Sequence, residues 1–388
     1  MDVALAGRLP DGRAVRLFGT AGRIAAIEAI TAPKDADLPW LVPGLIDIQV
    51  NGFGGYDVNA AEPDPAHIVA ISRLLAARGV TGWCPTVTTC APDAALRRIA
   101  AVHDALASSP HAAHAVLGIH MEGPWLSPNE GTRGVHPPEH IGPPSVAALD
   151  ELLAAGSGLI RIVTLSPEWP GAITVIEAIA AAGVVPAIGH TDASPDQIDA
   201  AVAAGARLST HLGNGAPTLL ARHPNVIWSQ LAADAMAASF IADGHHLPAA
   251  TLRSMVRAKG QQRCILVSDS TAVAGCPPGR YDTPVGGQVE LSADGRLAVA
   301  GTPYLAGSAV SLAECVARAS RLADVTPAAA VEMASRIPAE LLGAAERGSL
   351  DVGSAYDVVE IDGAAGPDRH LAVRAVWFDG HRVTGGGT

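Results

Sequence analysis

The sequence predicts an α/β chain: a (β/α)8 TIM-like barrel with a small β-sandwich domain built from both termini. Three observations lead there. Between about residues 41 and 345, apolar runs of strand length alternate with Ala-rich amphipathic stretches. Four of those runs end in a carboxylate or an imidazole, where a barrel keeps its active site. Short β-like segments with Gly and Asp turns occupy both ends of the chain. At 388 residues the chain is long enough for a barrel and a satellite.

The N-terminal pieces VALAG, AVRLFG and RIAAIEAI read as short strands. So do GSLDVG, YDVVEID and LAVRAVWFDGHRV near the other end. The expected division is therefore 1–40 with 346–388 as the satellite, and 41–345 as the barrel. Eight apolar runs follow in order: LIDIQV, VTGWCPT, AVLGIHMEG, LIRIVTLSP, VVPAIGHT, ARLSTHLG, ASFIADG and CILVSDS. Continuous apolar strands suit a parallel sheet covered on both faces. The spacers, among them PAHIVAISRLLAARG, PDAALRRIAAVHDALASS and SPDQIDAAVAAG, open with Pro, Ser or Asp and several stop at Gly. Eight units favour closure. The rival, an open doubly wound sheet, lacks a GxGxxG turn after an early strand.

With 49% hydrophobic and 16% charged residues, a large core is expected and disorder is not. The net charge of -12 and the lack of a Lys/Arg cluster argue against a nucleic-acid partner. No run has the length of a membrane span, and MDVALAGRLPDGR does not read as a signal peptide. Five cysteines without paired spacing suit a reducing compartment, so a cytoplasmic protein is expected.

Glu122, His190, His211 and Asp269 close four apolar runs. Two imidazoles and a carboxylate suit a three-ligand site for Zn²⁺, with Fe²⁺ or another divalent ion as the alternative. An open position would hold water of lowered pKa. Asp269 would be the base. His120, two residues from Glu122, shares its strand face and is expected beside the site. Taken singly, each His also reads as a satisfied core residue, Glu122 as a partner for an Arg such as Arg133, and Asp269 as a loop cap. Gln49 and Asn51 stand where many metal-dependent barrel hydrolases carry His-x-His, so one metal ion per chain is expected. Gln49 is left to hydrogen-bond water. Arg222, His223, His245 and His246 are local cations that could clamp an anion.

Together VPGLIDIQVNGFGG, GIHMEGPWLSP with GVHPPEHI, AIGHTDAS, HLGNGAP, IADGHH, LVSDS and LAGS resemble the N-acetylglucosamine-6-phosphate deacetylase family of the amidohydrolase superfamily. The resemblance runs in order through nearly the whole chain. It implies a divalent metal on Glu122, His190 and His211, with Asp269 as acid and base. It implies substrate contacts from Val135, Asn214, Gly215, Arg222 and His246, and a closing loop of Leu305, Ala306 and Gly307. It implies a small-molecule amino sugar phosphate as substrate, and a homodimer in which Arg222 reaches the neighbouring site. The chain departs from the family at Gly213, His223 and Ser270, where an aromatic residue, a Glu and an Ala are usual. Two rivals stay open: an amidohydrolase for another N-acyl or cyclic amide substrate, and a scaffold barrel without catalysis.

Overall fold

Strands buried on both faces carry no polar side, and the eight apolar runs form one eight-stranded parallel sheet in the computed structural model. It describes residues 3–33, 37–362 and 372–383. Parts of the expected terminal domain, residues 1–2, 34–36, 363–371 and 384–388, lie outside the described residues.

The barrel strands are Leu45–Val50, Val80–Thr88, Ile119–Glu122, Ile160–Leu165, Val185–Ile188, Leu208–Ser209, Ala237–Ile241 and Cys264–Val267. Their spatial order is their sequence order. The ring closes between the first and the eighth. Val50 bridges Ser270, the Asp269 N–H donates to the Gln49 carbonyl at 3.1 Å, and the Asn51 N–H donates to the Ser270 carbonyl at 2.8 Å. Helices Pro65–Ala76, Pro92–Ser108, Val146–Gly156, Ala172–Ala181, Pro195–Ala203 and Ala249–Lys259 fall on the expected spacers. Their starts are chemically specified: Asp64 and Ser145 accept N–H groups of the first turn, and Ser194 with Gln197 forms a capping box. Among the described residues, no helix is long and apolar enough to cross a membrane.

Strands from both ends of the chain join in a separate seven-stranded sheet. Trp40–Pro43 is its meeting point, antiparallel to Val358–Ile361 and bridged in parallel to the first strand at Arg8. Leu5, Val15, Leu17, Ile24, Leu41, Tyr356 and Val358 form its core. A third, three-stranded sheet was not expected. Gly279–Thr283, Gly287–Leu291 and Leu297–Val299 pair antiparallel after the eighth barrel strand. Val289, Leu291 and Leu297 pack it onto Val273 and Ala306, above the barrel.

A buried ion pair fastens the returning segment to the barrel. Arg347 lies 2.8 Å from Asp357, and the two side chains are 7% and 3% exposed. Arg347 also donates to the carbonyls of His114 and Thr81, while His114 Nε2 meets Asp357 at 3.0 Å. Burial pushes the Asp357 carboxyl up, but the His114 hydrogen bond and the Arg347 charge outweigh it and hold it below its ordinary value. Asp357→Ala leaves a guanidinium buried without its anion and should cost about 3–5 kcal/mol. The carboxylate's contribution is present above the unfolded pKa of about 3.9 and is lost as pH falls through the lower folded value. Urea unfolding at neutral pH checks the variant, and a loss under about 1 kcal/mol would place the clamp elsewhere.

Candidate active site

The C-terminal ends of the barrel strands surround a cavity of about 750 Å³ lined by Glu122, His136, His190, His211, His246 and Asp269, among others. Glu122 ends the third strand in register with Thr88 and Thr164 of its neighbours. His190, His211 and Asp269 each sit just beyond a strand, and all three have left-handed backbones, with φ of 49°, 31° and 49°. Such a backbone costs a non-glycine residue of order 1–3 kcal/mol and persists only where surroundings enforce it. Here the enforcement is visible. His190 Nδ1 donates to the Thr132 carbonyl at 2.9 Å, the His211 N–H donates to Ser239 Oγ at 2.7 Å, and the Asp269 N–H belongs to the closing seam.

Three imidazoles face the Glu122 carboxylate. His211 Nε2 lies 3.0 Å and His190 Nε2 3.5 Å from Oε1, and His136 Nε2 lies 4.0 Å from Oε2. Gln49 donates to Oε1 at 2.9 Å. Burial raises the Glu122 carboxyl, yet the facing His190 and His211 hold it well below its usual value, so it stays an anion. Burial, then the neighbouring His190, pushes His136 down to about 3.

The hydrogen atoms test whether a cation fits. Thr132 offers only a carbonyl, so His190 Nδ1 must be the donor, and Nε2, which faces Glu122, is the nitrogen left for a ligand. Thr89 donates to the Glu122 carbonyl and accepts from His136 Nδ1, which leaves a second Nε2 toward the same carboxylate. A divalent cation among these Nε2 atoms and the Glu122 carboxylate would take them together as ligands. His211 Nδ1 is buried without a partner. Its pKa is raised: burial opposes this, and the Glu122 hydrogen bond and charge prevail. The donor set is therefore that of a divalent cation site.

Sequence reasoning gave no role to His136. Glu122, His136 and His190 bring their ligand atoms within 4.8 Å of one another. His211, expected as the third ligand, is not in that trio, but its Nε2 lies 3.0 Å from the same Glu122 oxygen that His190 faces. His136 sits in the loop GVHPP, away from any strand end, so the strand-end signal passed over it. Its position between Gly134 and two prolines was the available cue.

Asp269 lies across the cavity. Burial, then the Glu122 charge, pushes it up to about 6 against His211, His246 and Asn51. Asn51 Nδ2 donates to Oδ1 at 2.8 Å, which leaves Oδ2 to react. Gly307 passes so close that a Cβ would stand 2.6 Å from Thr271 Cγ2 and 3.1 Å from the Asp269 carbonyl, at φ +68°. A side chain there would press on Thr271 first and on the Asp269 backbone beside it. His246 Nδ1 donates to the buried Asp243 at 2.7 Å, so Nε2 is the nitrogen left for a ligand.

The other expected residues divide. Val135, Asn214, Gly215, Leu305, Ala306 and Gly307 line the cavity with His246. Gly215 is required there, since a Cβ would stand 2.7 Å from His190 Nδ1 at φ +57°. Gln49 binds Glu122 itself, where water was expected. His120 is buried below the cluster with Nδ1 on the Ile48 carbonyl and Nε2 on Thr164 Oγ1. Arg222 is exposed and does not line the cavity of its own chain. No ion pair joins Glu122 to Arg133 among the described residues.

Comparison with known proteins identifies the family. Residues 40–383 match the profile of the Amidohydrolase family. The chain is 36% identical to an N-acetylgalactosamine-6-phosphate deacetylase of Escherichia coli O157:H7, over 92% of each protein. It is also 36% identical to an N-acetylglucosamine-6-phosphate deacetylase of Bos taurus, over 88% of this chain and 83% of the relative. Among solved structures, a mutant N-acetyl-D-glucosamine-6-phosphate deacetylase from Mycobacterium smegmatis, in complex with N-acetyl-D-glucosamine-6-phosphate, superposes with a TM-score of 0.87. That pair shares 29% identity over 98% of this chain and 99% of the other.

Purified protein should carry one divalent ion per chain, and Glu122→Gln should lose it while remaining folded. Metal analysis beside circular dichroism checks this. Because the ion binds the folded state, chelation should also lower Tm of the wild type. A Tm indifferent to chelator would contradict a metal at this cluster.

Proposed function

Since the chain belongs to the amidohydrolase family, we propose that it hydrolyses the N-acetyl group of N-acetylglucosamine 6-phosphate to glucosamine 6-phosphate and acetate. The observation that carries this reading is the opposition of a buried Asp269, pinned through one oxygen, to a Glu–His cluster across one cavity. The N-acetylgalactosamine relative supports a second reading, the C4 epimer of the same sugar phosphate.

Glu122, His190 and His211 hold one divalent ion in this account, with His136 beside them. Zn²⁺ is the proposed ion, and Fe²⁺ suits the same imidazole and carboxylate donors. When bound, such an ion polarises the acetyl carbonyl and acidifies water. Asp269 takes the proton from the attacking water and returns it to the departing amine. Burial and the Glu122 charge raise the Asp269 carboxyl above its ordinary value, which suits a group that takes a proton in one step and gives it back in the next. Asn51 keeps Oδ1 occupied, so the transfer runs through Oδ2. His246, oriented by Asp243, binds a substrate oxygen through Nε2. Val135, Asn214 and Gly215 hold the sugar from one wall, and Leu305, Ala306 and Gly307 close over it from the other.

The catalytic unit is residues 41–345 with the satellite of 1–40 and 346–388 attached. The chain works in the cytoplasm as a homodimer in which Arg222 reaches the neighbouring active site. Support for the dimer is the exposure of Leu219, Leu220 and Trp228, at 91%, 41% and 54%, on the segment and helix that flank Arg222.

An acetate-release assay on N-acetylated sugars with and without a 6-phosphate tests the function. Release from the phosphorylated glucosamine derivative is expected, and its absence from every phosphorylated sugar would sink the reading. Asp269→Asn should keep fold and metal and lower kcat by about 10²–10⁴-fold. Near-normal turnover would require a different base. Arg222→Ala should lower kcat/KM on the phosphorylated sugar by roughly ten- to a hundredfold, the loss of a charged hydrogen bond. A full effect on the unphosphorylated sugar as well would deny Arg222 a phosphate role.

A further inference from the structure

We propose that Arg133 binds the phosphate of the substrate within its own chain; this rests on reading the substrate as an N-acetylated hexosamine 6-phosphate. Among the described residues, Arg133 is the one Arg or Lys lining the cavity. Four carboxylates line the same space: Asp57, Glu122, Glu130 and Asp269. An anionic substrate entering there needs a fixed cation besides the metal, and Arg222 is outside the cavity of its own chain.

Among the described residues, one nitrogen of the guanidinium is also left without a partner. Arg133 Nε is buried without a hydrogen-bond partner. No described carboxylate forms an ion pair with Arg133, although Glu130 is three residues away. A guanidinium is always charged and offers its donors in a planar fork that matches phosphate oxygens. An unfilled buried donor on a guanidinium whose residue lines the cavity calls for an acceptor.

Its backbone is held in place by the metal-type cluster itself. Thr132, one residue before, takes the His190 Nδ1 hydrogen bond through its carbonyl. Gly134, one residue after, packs so that a Cβ would stand 3.3 Å from His190 Cε1. His136, three residues on, faces Glu122. The backbone on either side of Arg133 is therefore tied to the imidazoles. One short loop thus couples the acetamide end of the cavity to a cation for the phosphate end. Arg133 in the same chain and Arg222 from a neighbour are separate contacts and separable by variants.

The test uses the full-length metal-loaded protein. Arg133→Gln removes the charge and Arg133→Lys keeps it. Acetate release is measured on N-acetylglucosamine 6-phosphate and on N-acetylglucosamine. In Arg133→Gln the ratio of kcat/KM between the two sugars should fall roughly ten- to a hundredfold, chiefly through KM. Arg133→Lys should recover most of that ratio, and metal content should be unchanged in both. A ratio equal to wild type, whether both activities fall or neither does, overturns the proposal. If the wild type releases acetate from neither sugar, the deacetylase reading fails on its own. Calorimetric titration of inorganic phosphate then decides Arg133. Binding at least tenfold weaker in Arg133→Gln upholds the anion site, and equal binding or none by the wild type refutes it.

Discussion

A carboxylate kept ionised inside a barrel is the constraint on which this structure depends. Glu122 is almost fully buried, and an isolated buried anion is too costly to keep. The surrounding donors answer it. Gln49 donates to it, and His136, His190 and His211 all turn Nε2 toward it. Thr89 and Thr132 occupy Nδ1 of His136 and His190, so Nε2 is the nitrogen each ring has left for the cluster. The arrangement is balanced when a cation sits among them, and that requirement joins the fold to the chemistry.

The same requirement shapes the backbone. To aim inward from beyond their strands, His190, His211 and Asp269 adopt a conformation that side chains rarely accept. Each is held by a bond to a different element: the loop at Thr132, the seventh strand at Ser239, and the first strand at Gln49. The barrel must be closed for the third of these to exist. Closure between the first and eighth strands therefore places Asp269 opposite Glu122, and the Asn51 amide then chooses which oxygen is free. Stability and catalysis share this seam.

Much of this was legible in the sequence. Buried parallel strands must be continuously apolar, so runs such as CILV and LIRIVTL announce themselves, and a charged residue at their end stands out. What hid did so for physical reasons. The sheet of Gly279–Leu291 and Leu297–Val299 is half exposed, and its alternation GQVEL with the turn Asp294–Gly295 is a weaker signal than an apolar run. His136 and Arg133 belong to a loop whose course is set by contacts with His190, distant in sequence. His120 shares the face of Glu122 as its spacing implied, but only the fold reveals that its nitrogens are already taken by Ile48 and Thr164. Arg222 shows the reverse limit: a cation in a motif can lie outside the site of its own chain.

The central claim is that the cluster around Glu122 works by holding one divalent ion for amide hydrolysis. Stripping the metal and titrating it back, while following acetate release from N-acetylglucosamine 6-phosphate, tests it most directly. The account predicts that release stops in the stripped protein and rises linearly to a break at one ion per chain. Full activity in the stripped protein, or a break at two ions, would contradict it.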